Sequence, residues 1–233
     1  MSSYDAIAEL YDPWSRTVTE DIGFYVAEAR KARGPIVELG VGTGRIAVPV
    51  ASAGVPVIGV DSSAGMLEVC RRSGAAAGVE HLLDLRQGDL REPPVSERVR
   101  LVISPFRALL HLATDVERRQ ALAAAFGLLV HGGRFVFDVF APSAADIEET
   151  HDRWLEREPG IWELAHWDLD RRVLTLRLRG PESETAMELA WIPVEEWRAL
   201  LEQTGFEIVA CYGWFDLRPY AGGEDSIWLA RRP

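Results

Sequence analysis

Cysteine, lysine and long apolar runs are all scarce in this chain. Cys70 and Cys211 are its only cysteines. They lie far apart, with no CxxC and no close histidine partner, which argues against both a disulfide framework and a zinc site. Both are expected to be ordinary reduced thiols, and no metal is expected. Lys31 is the only lysine, so arginine carries the basic charge; this reads as coding bias, not function. No apolar run reaches the ~20 residues that span a bilayer, and the polar start Met1-Ser2-Ser3-Tyr4-Asp5 has no basic segment followed by an apolar core. A cytoplasmic protein without membrane contacts is expected. The formal net charge of −11 disfavours generic attraction to nucleic acid or anionic lipid.

What is present describes an ordinary globular chain. At 233 residues, 48% hydrophobic and 26% charged, it can bury one substantial core. Short apolar runs at 36–39, 55–60, 82–85, 99–104 and 134–140 alternate with helical spacing at 45–53, 63–72 and 115–130. That rhythm implies an α/β fold with a parallel sheet covered by helices. Ser62 or Ser63 can cap the second helix and Thr114 or Asp115 the third, and His131-Gly132-Gly133 is read as the stop between helix and strand. From Ile161 to Ile192 the pattern becomes that of antiparallel strands. Pro193, followed by Glu195 and Glu196, opens a helix that ends near Gly205, and 206–212 with 226–230 form a closing strand pair.

The densest signal is Ile36-Val-Glu-Leu-Gly-Val-Gly-Thr-Gly44, an apolar strand running through an acid into alternating glycines. Gly40, Gly42 and Gly44 allow a sharp bend and close approach to a ligand. The dinucleotide pattern GxGxxG would need a third glycine where this chain has Arg45. Glu38, just before the bend, suits a cation better than a diphosphate. The pattern ExGxGxG resembles motif I of the class I S-adenosylmethionine-dependent methyltransferases.

That resemblance spans almost the whole chain, with its specific motifs in the first half. It implies a Rossmann-like, doubly wound seven-stranded sheet with an antiparallel last strand pair and a small β insertion over the active site. The implied division is lid helices at 1–34, a cofactor-binding core at 35–142, a β insertion covering substrate at 143–192, and a helix and hairpin completing the sheet at 193–233. The implied cofactor is S-adenosyl-L-methionine, leaving S-adenosyl-L-homocysteine as product. The implied partner is a small-molecule methyl acceptor, with the protein a monomer or homodimer.

Individual residues carry two readings each. Asp61, about 20 residues past the glycines, can accept from ribose hydroxyls or cap the next helix. Gly88-Asp89-Leu90 resembles the family's motif II, in which the acid meets the adenine amino group and the next backbone N–H the ring; alone, the pair is a common turn. Met66 can pack on adenine or belong to the core, and Ser62 and Phe106 complete the expected cofactor contacts. His111, in the loop after the fourth strand, can take a proton from an acceptor or cap backbone. Tyr4, Ile7, Ala8 and Tyr11 share one face of an N-terminal helix resembling the family's lid, where Tyr11 can meet cofactor or acceptor, or simply pack. Among Trp162, His166, Trp167, Trp191, Tyr212, Trp214, Phe215 and Tyr220, a minority is expected to line an acceptor pocket. Glu163, Asp168 and Asp216 are either amine-binding or exposed strand-face acids.

The expected function is a small-molecule N- or O-methyltransferase acting by in-line displacement, with His111 and Tyr11 as catalytic residues. The shared glycines and Asp61 leave an NAD-dependent oxidoreductase as an alternative. A non-catalytic S-adenosylmethionine-binding protein on the same scaffold is another.

Overall fold

A computed structural model describes residues 4, 8–15, 17–181 and 183–233, with the backbone alone at 9 and 10. Ile7, expected on the lid face, lies outside the described residues, as do Met1–Ser3, Asp5, Ala6, Arg16 and Glu182. Two helices, α1 (Ala8–Ser15) and α2 (Ile22–Ala32), precede strand β1 (Ile36–Leu39). There follow α3 (Ala47–Ser52), β2 (Val57–Asp61), α4 (Ala64–Ala76), β3 (Leu83–Gln87), β4 (Val99–Ser104), α5 (Asp115–Leu128) and β5 (Leu129–Phe140).

The seven-stranded sheet has the order β10-β11-β5-β4-β1-β2-β3, where β10 is Glu207–Tyr212 and β11 is Asp225–Arg231. β1 pairs in parallel with both β2 and β4, and β11 runs antiparallel to β5 and β10. The sheet is therefore mixed only at its last pair, as expected. Its central strands are largely apolar because helices cover both faces. Ile36, Leu101, Ile103 and Val136 pack with Tyr25, Ala29 and Val50 from α2 and α3 on one face. Val37, Val102, Phe135 and Phe137 pack on the other with Ala121, Leu122 and Ala125 of α5, and with Trp197 and Leu201 of α7 (Val194–Thr204).

Strand order reverses between β1 and β4. Neighbouring strands there send their following segments to opposite faces, which opens a crevice beyond their carboxyl ends where open α/β sheets bind ligands. The Ser104 hydroxyl donates to the Leu39 carbonyl (3.0 Å), tying the two strand ends at this point.

The insertion is richer than the sequence pattern indicates. It begins with α6 (Ala144–Thr150), started by a Ser143/Asp146 capping box. A four-stranded antiparallel sheet follows: β6 (Trp154–Glu158), β7 (Ile161–Asp168), β8 (Val173–Arg179) and β9 (Glu184–Ala190). Its inner residues Ala165, Trp167, Leu176, Met187 and Leu189 join the α5 and α7 side of the core.

The capping alternatives resolve by geometry. Ser63, not Ser62, caps α4 by accepting from the Met66 amide (3.1 Å), and Thr114 forms a full capping box with Glu117. His131-Gly132-Gly133 does not separate helix from strand: α5 ends at Leu128, and these three residues lie inside β5 where its register with β4 shifts. A bulge absorbs them, because the Gly132 amide and the Gly133 carbonyl bond Arg232 instead of the β4 ladder.

Candidate functional site

The bend after β1 forms one wall of the crevice. The amides of Gly40 and Val41 both donate to the Val60 carbonyl (2.8 and 3.0 Å), so the chain turns back over the end of β2. Gly40 has φ +79°, and a Cβ there would come 2.7 Å from the Cβ of Ala108. A side chain is thus excluded on both conformational and steric grounds. Gly44 stands apart from the cavity lining: a Cβ on it would strike the Cys70 sulfur at 2.6 Å, so its bareness lets the bend pack on α4.

A cavity of about 310 Å³ lies beyond this bend. It collects nearly all of the expected site residues: Tyr11, Glu38, Gly40, Gly42, Asp61, Ser62, Met66, Asp89, Leu90, Phe106 and His111, together with Tyr4. Residues more than 100 positions apart in the chain meet there.

Glu38 is 2% exposed, and its buried Oε2 has no hydrogen-bond partner among the described residues. Burial pushes its carboxyl well above the usual range, with Arg45 pulling the other way and Asp21 and Asp61 adding to the rise. A buried acid in the wall of a cavity, with an oxygen that no donor satisfies, suits a cation. Arg45 is not that cation. Its guanidinium is held bidentately by buried Asp21 (2.7 and 2.5 Å) and lies over the Phe106 ring at 4.3 Å.

Asp61 bridges two elements while lining the cavity. One oxygen accepts from the Gly42 amide (2.9 Å) and the other from the Ser63 amide (2.8 Å). Its orientation is fixed by these bonds. Asp89 is more committed. Both of its oxygens are taken by Arg91, which also reaches Glu117 (2.7 Å), and this pairing lowers the Asp89 pKa.

Across the cavity, β4 leads through Pro105 into a turn built by Phe106 (φ 53°) and Arg107 (φ 65°). Two successive non-glycine residues in the left-handed region cost about 1–3 kcal/mol each. Both amides donate to the buried carboxylate of Asp138, Phe106 to Oδ1 (2.9 Å) and Arg107 to Oδ2 (3.1 Å), and the Tyr25 hydroxyl donates to Oδ1 (2.5 Å). The turn delivers His111 at the end of a single 3-10 turn, Ala108–His111.

His111 Nε2 lies 2.9 Å from the Tyr4 hydroxyl, and the ring also bonds the Glu188 backbone of β9. The ring presents surface to the cavity and is otherwise packed about by protein. Desolvation accordingly pushes its pKa down to about 4 against the opposing Glu188 bond. The imidazole is neutral at physiological pH. Tyr4 and Tyr11 are both raised above the usual phenol range, chiefly by burial, and stay protonated.

Helix α1 lies over the glycine bend. Asp12 accepts from the Thr43 hydroxyl, and Trp14 Nε1 donates to Glu163 of β7 (2.8 Å). The rings of Tyr4, Tyr11, Trp14 and Phe106 form an edge-to-face cluster with centroids 5.6 to 6.4 Å apart.

The second-half aromatics fall elsewhere; none of the eight lines the cavity. Trp167 packs against Phe140 and Trp191, and Phe215 against Phe24, Tyr25 and Trp214. Glu163 is occupied by Arg157 and Trp14, Asp168 by Arg171, and Asp216 by Arg218. Sequence reasoning missed Asp138, Thr43 and Met187, whose sulfur lies 3.0 Å from the Tyr4 hydroxyl. An aspartate inside an otherwise apolar strand, Phe137-Asp138-Val139, was the one available signal.

His151, Asp152 and His166 have the spacing of metal ligands, outside the cavity. The Trp167 amide donates to His151 Nδ1 (3.1 Å), so the neutral ring carries its proton on Nε2, toward Asp152 at 3.3 Å. A protonated nitrogen donates hydrogen bonds and does not bind a metal.

Comparison with known proteins adds independent findings. The model of a methyltransferase domain matches residues 36–133. An uncharacterized methyltransferase of Geobacillus kaustophilus is 32% identical over 177 residues, 74% of this chain and 77% of the relative. The CcbJ methyltransferase from Streptomyces caelestis is 26% identical, with a TM-score of 0.85 over 99% of this chain and 98% of its own. CalS10, an amino pentose methyltransferase from Micromonospora echinaspora solved with S-adenosylmethionine, shares the fold at 20% identity and TM-score 0.69, covering 97% and 95% of the two chains.

Proposed function

Because the chain belongs to the class I S-adenosylmethionine-dependent methyltransferases, we propose that it methylates a nitrogen or oxygen atom of a small molecule. The observation that carries this reading is the meeting, in one cavity, of a buried Glu38, whose Oε2 has no partner among the described residues, and a neutral His111. S-adenosylmethionine supplies a methyl group already activated by positive sulfur, so the protein's tasks are placement and proton removal.

The residues present fit this cofactor. Glu38 would take its ammonium end, the bare backbone at Gly40 and Gly42 would leave room beside it, and Asp61 would meet the ribose. Met66, Leu90, Ser62 and Phe106, which line the same cavity, would contact the adenosine. Asp89 reaches the adenine amino group only with the lone pairs that Arg91 leaves free. A diphosphate would meet the buried Glu38 carboxyl without help from Arg45, which is held by Asp21, and this disfavours a nicotinamide cofactor.

Two neighbouring parts complete the site in this reading. Helix α1 is a lid, held by Thr43 and Glu163, while Tyr4 bonds His111 and Met187 of β9, so that the insertion sheet covers the acceptor. His111 is the base and receives the acceptor's proton at Nε2, with the Tyr4 hydroxyl as the adjacent relay. Tyr11 orients the acceptor or cofactor from the lid. The ring-lined walls of the cavity limit the water around the transfer.

Amino-sugar or other natural-product amines and alcohols are the first acceptors to assay, since CalS10 is an amino pentose methyltransferase. The test is homocysteine release, with a coupling hydrolase, across a panel of such compounds. Release that depends on acceptor and on His111 supports the reading. Tight S-adenosylhomocysteine binding with no turnover on any acceptor would replace it with the non-catalytic alternative.

A further inference from the structure

We propose that Asp138 is a positioning residue for this site: its buried carboxylate holds the Phe106 and Arg107 peptides in the conformation from which the His111 turn starts. The functional consequence rests on the methyltransferase reading above, but the geometric claim does not.

Asp138 lies near the carboxyl end of β5, beside the point where β4 ends in register with Phe137. Successive amide groups in a tight turn converge on one point and form a concave anion site. Here the anion is supplied internally. The amides of Phe106 and Arg107 each take one oxygen of Asp138, and Tyr25 of α2 adds a hydroxyl from behind. Three donors on one buried acid explain why two non-glycine residues keep left-handed backbones, at φ 53° and 65°.

The turn sets the site in two directions. Phe106 places its ring between Arg45 and the lid residues Tyr11 and Trp14. Arg107 is the residue that opens the Ala108–His111 turn, so its backbone angles aim His111 at Tyr4. Losing the carboxylate leaves two amides without their acceptor and lets both residues relax to negative φ, which moves the ring and rotates the histidine.

The charged and titratable groups facing Asp138 are Tyr25 and Asp21 from α2, Arg45 from the glycine bend, and Arg107 of the turn itself. Burial, reinforced by Asp21, raises its carboxyl to about 6 despite the Tyr25, Arg107 and Phe106 contributions. Protonation below that point removes an acceptor from the turn. His111, pushed down to about 4, stays neutral over the same interval.

The experiment compares wild type with Asp138→Asn, Tyr25→Phe and the double variant Asp138→Asn/Arg107→Gly. It reads thermal stability, amide exchange at 106 and 107, the His111 imidazole NMR resonance, and S-adenosylhomocysteine affinity by calorimetry. Asp138→Asn is expected to melt within a few degrees of wild type. Exchange at both amides should rise about a hundredfold, with a shifted His111 resonance and affinity about tenfold weaker. Glycine at 107 tolerates positive φ, so the double variant should recover most of that affinity. If Asp138→Asn does not fold, Tyr25→Phe, which removes one of the three donors, should give the same changes in weaker form. Unchanged amide exchange and an unmoved His111 resonance in the variant that folds would overturn the proposal. A wild type that fails to bind S-adenosylhomocysteine would refute the functional reading, while exchange and the His111 resonance would still decide the role of Asp138.

Discussion

The two turns that face each other across the cavity both hold left-handed backbone, and they do so by opposite means. After β1 the positive angles fall on glycines, where they cost little and where a Cβ at Gly40 would collide with Ala108. After β4 they fall on Phe106 and Arg107, whose side chains are used, and a carboxylate from another strand offsets the strain. A turn that must be bare for a ligand can be made of glycine. A turn that must also present a ring and a histidine has to be held from outside.

Changing His111 to alanine should have the largest effect, because it removes the base carried by the second turn. Turnover is expected to fall about 10²–10⁴-fold, while S-adenosylhomocysteine affinity stays close to wild type. Rapid-quench measurement of the first turnover would expose this split. Equal loss of affinity would mean that His111 holds cofactor instead of serving the acceptor.

Gly40→Val attacks the other turn and should weaken S-adenosylhomocysteine binding about a hundredfold, since φ +79° and the 2.7 Å contact with Ala108 both oppose a side chain. Calorimetry reports it directly, and a valine variant that binds normally would remove the glycine bend from the account.

The pH profile separates the turns further. His111 loses its free lone pair only as pH falls through about 4, because burial depresses its pKa. Asp138 gains a proton as pH falls through about 6, because burial raises its own. An acid limb of turnover near 6 is therefore assigned to Asp138 and should be absent in Asp138→Asn. The smallest change is expected from Tyr4→Phe, which deletes one hydroxyl beside His111 Nε2 and should lower turnover by about tenfold or less.

The sequence made one of these turns readable and concealed the other. The ExGxGxG run announces its strand, bend and ligand preference within nine residues, since alternating glycines after an apolar strand have few other uses. Asp61 and His111 could be placed from their distance to that bend and from the strand order. Nothing local marks Phe106 and Arg107 as left-handed, because their support comes from Asp138, some 30 positions later and on another strand. Arg45 could be recognised as an obstacle to a diphosphate, but its partner Asp21 is set by the packing of α2. In the insertion, Trp154–Glu158 was missed as a strand because its Trp-Leu-Glu-Arg-Glu lacks alternation and its pairing with β7 is irregular. The aromatic residues of the second half were legible as buried but not as remote from the cavity, since burial in a sheet and burial in a pocket leave the same pattern in sequence.

The central claim is that the Glu38 carboxyl seats a cationic cofactor, and calorimetric titration of S-adenosylhomocysteine into wild type and Glu38→Gln, in buffers of differing ionisation heat, tests it most directly. Burial raises the Glu38 pKa, and a neighbouring ammonium would lower it again. Wild type should bind with release of a proton to buffer, and Glu38→Gln should bind more weakly with that release gone. Absence of binding by wild type, or identical affinity and proton release in the two proteins, would contradict it.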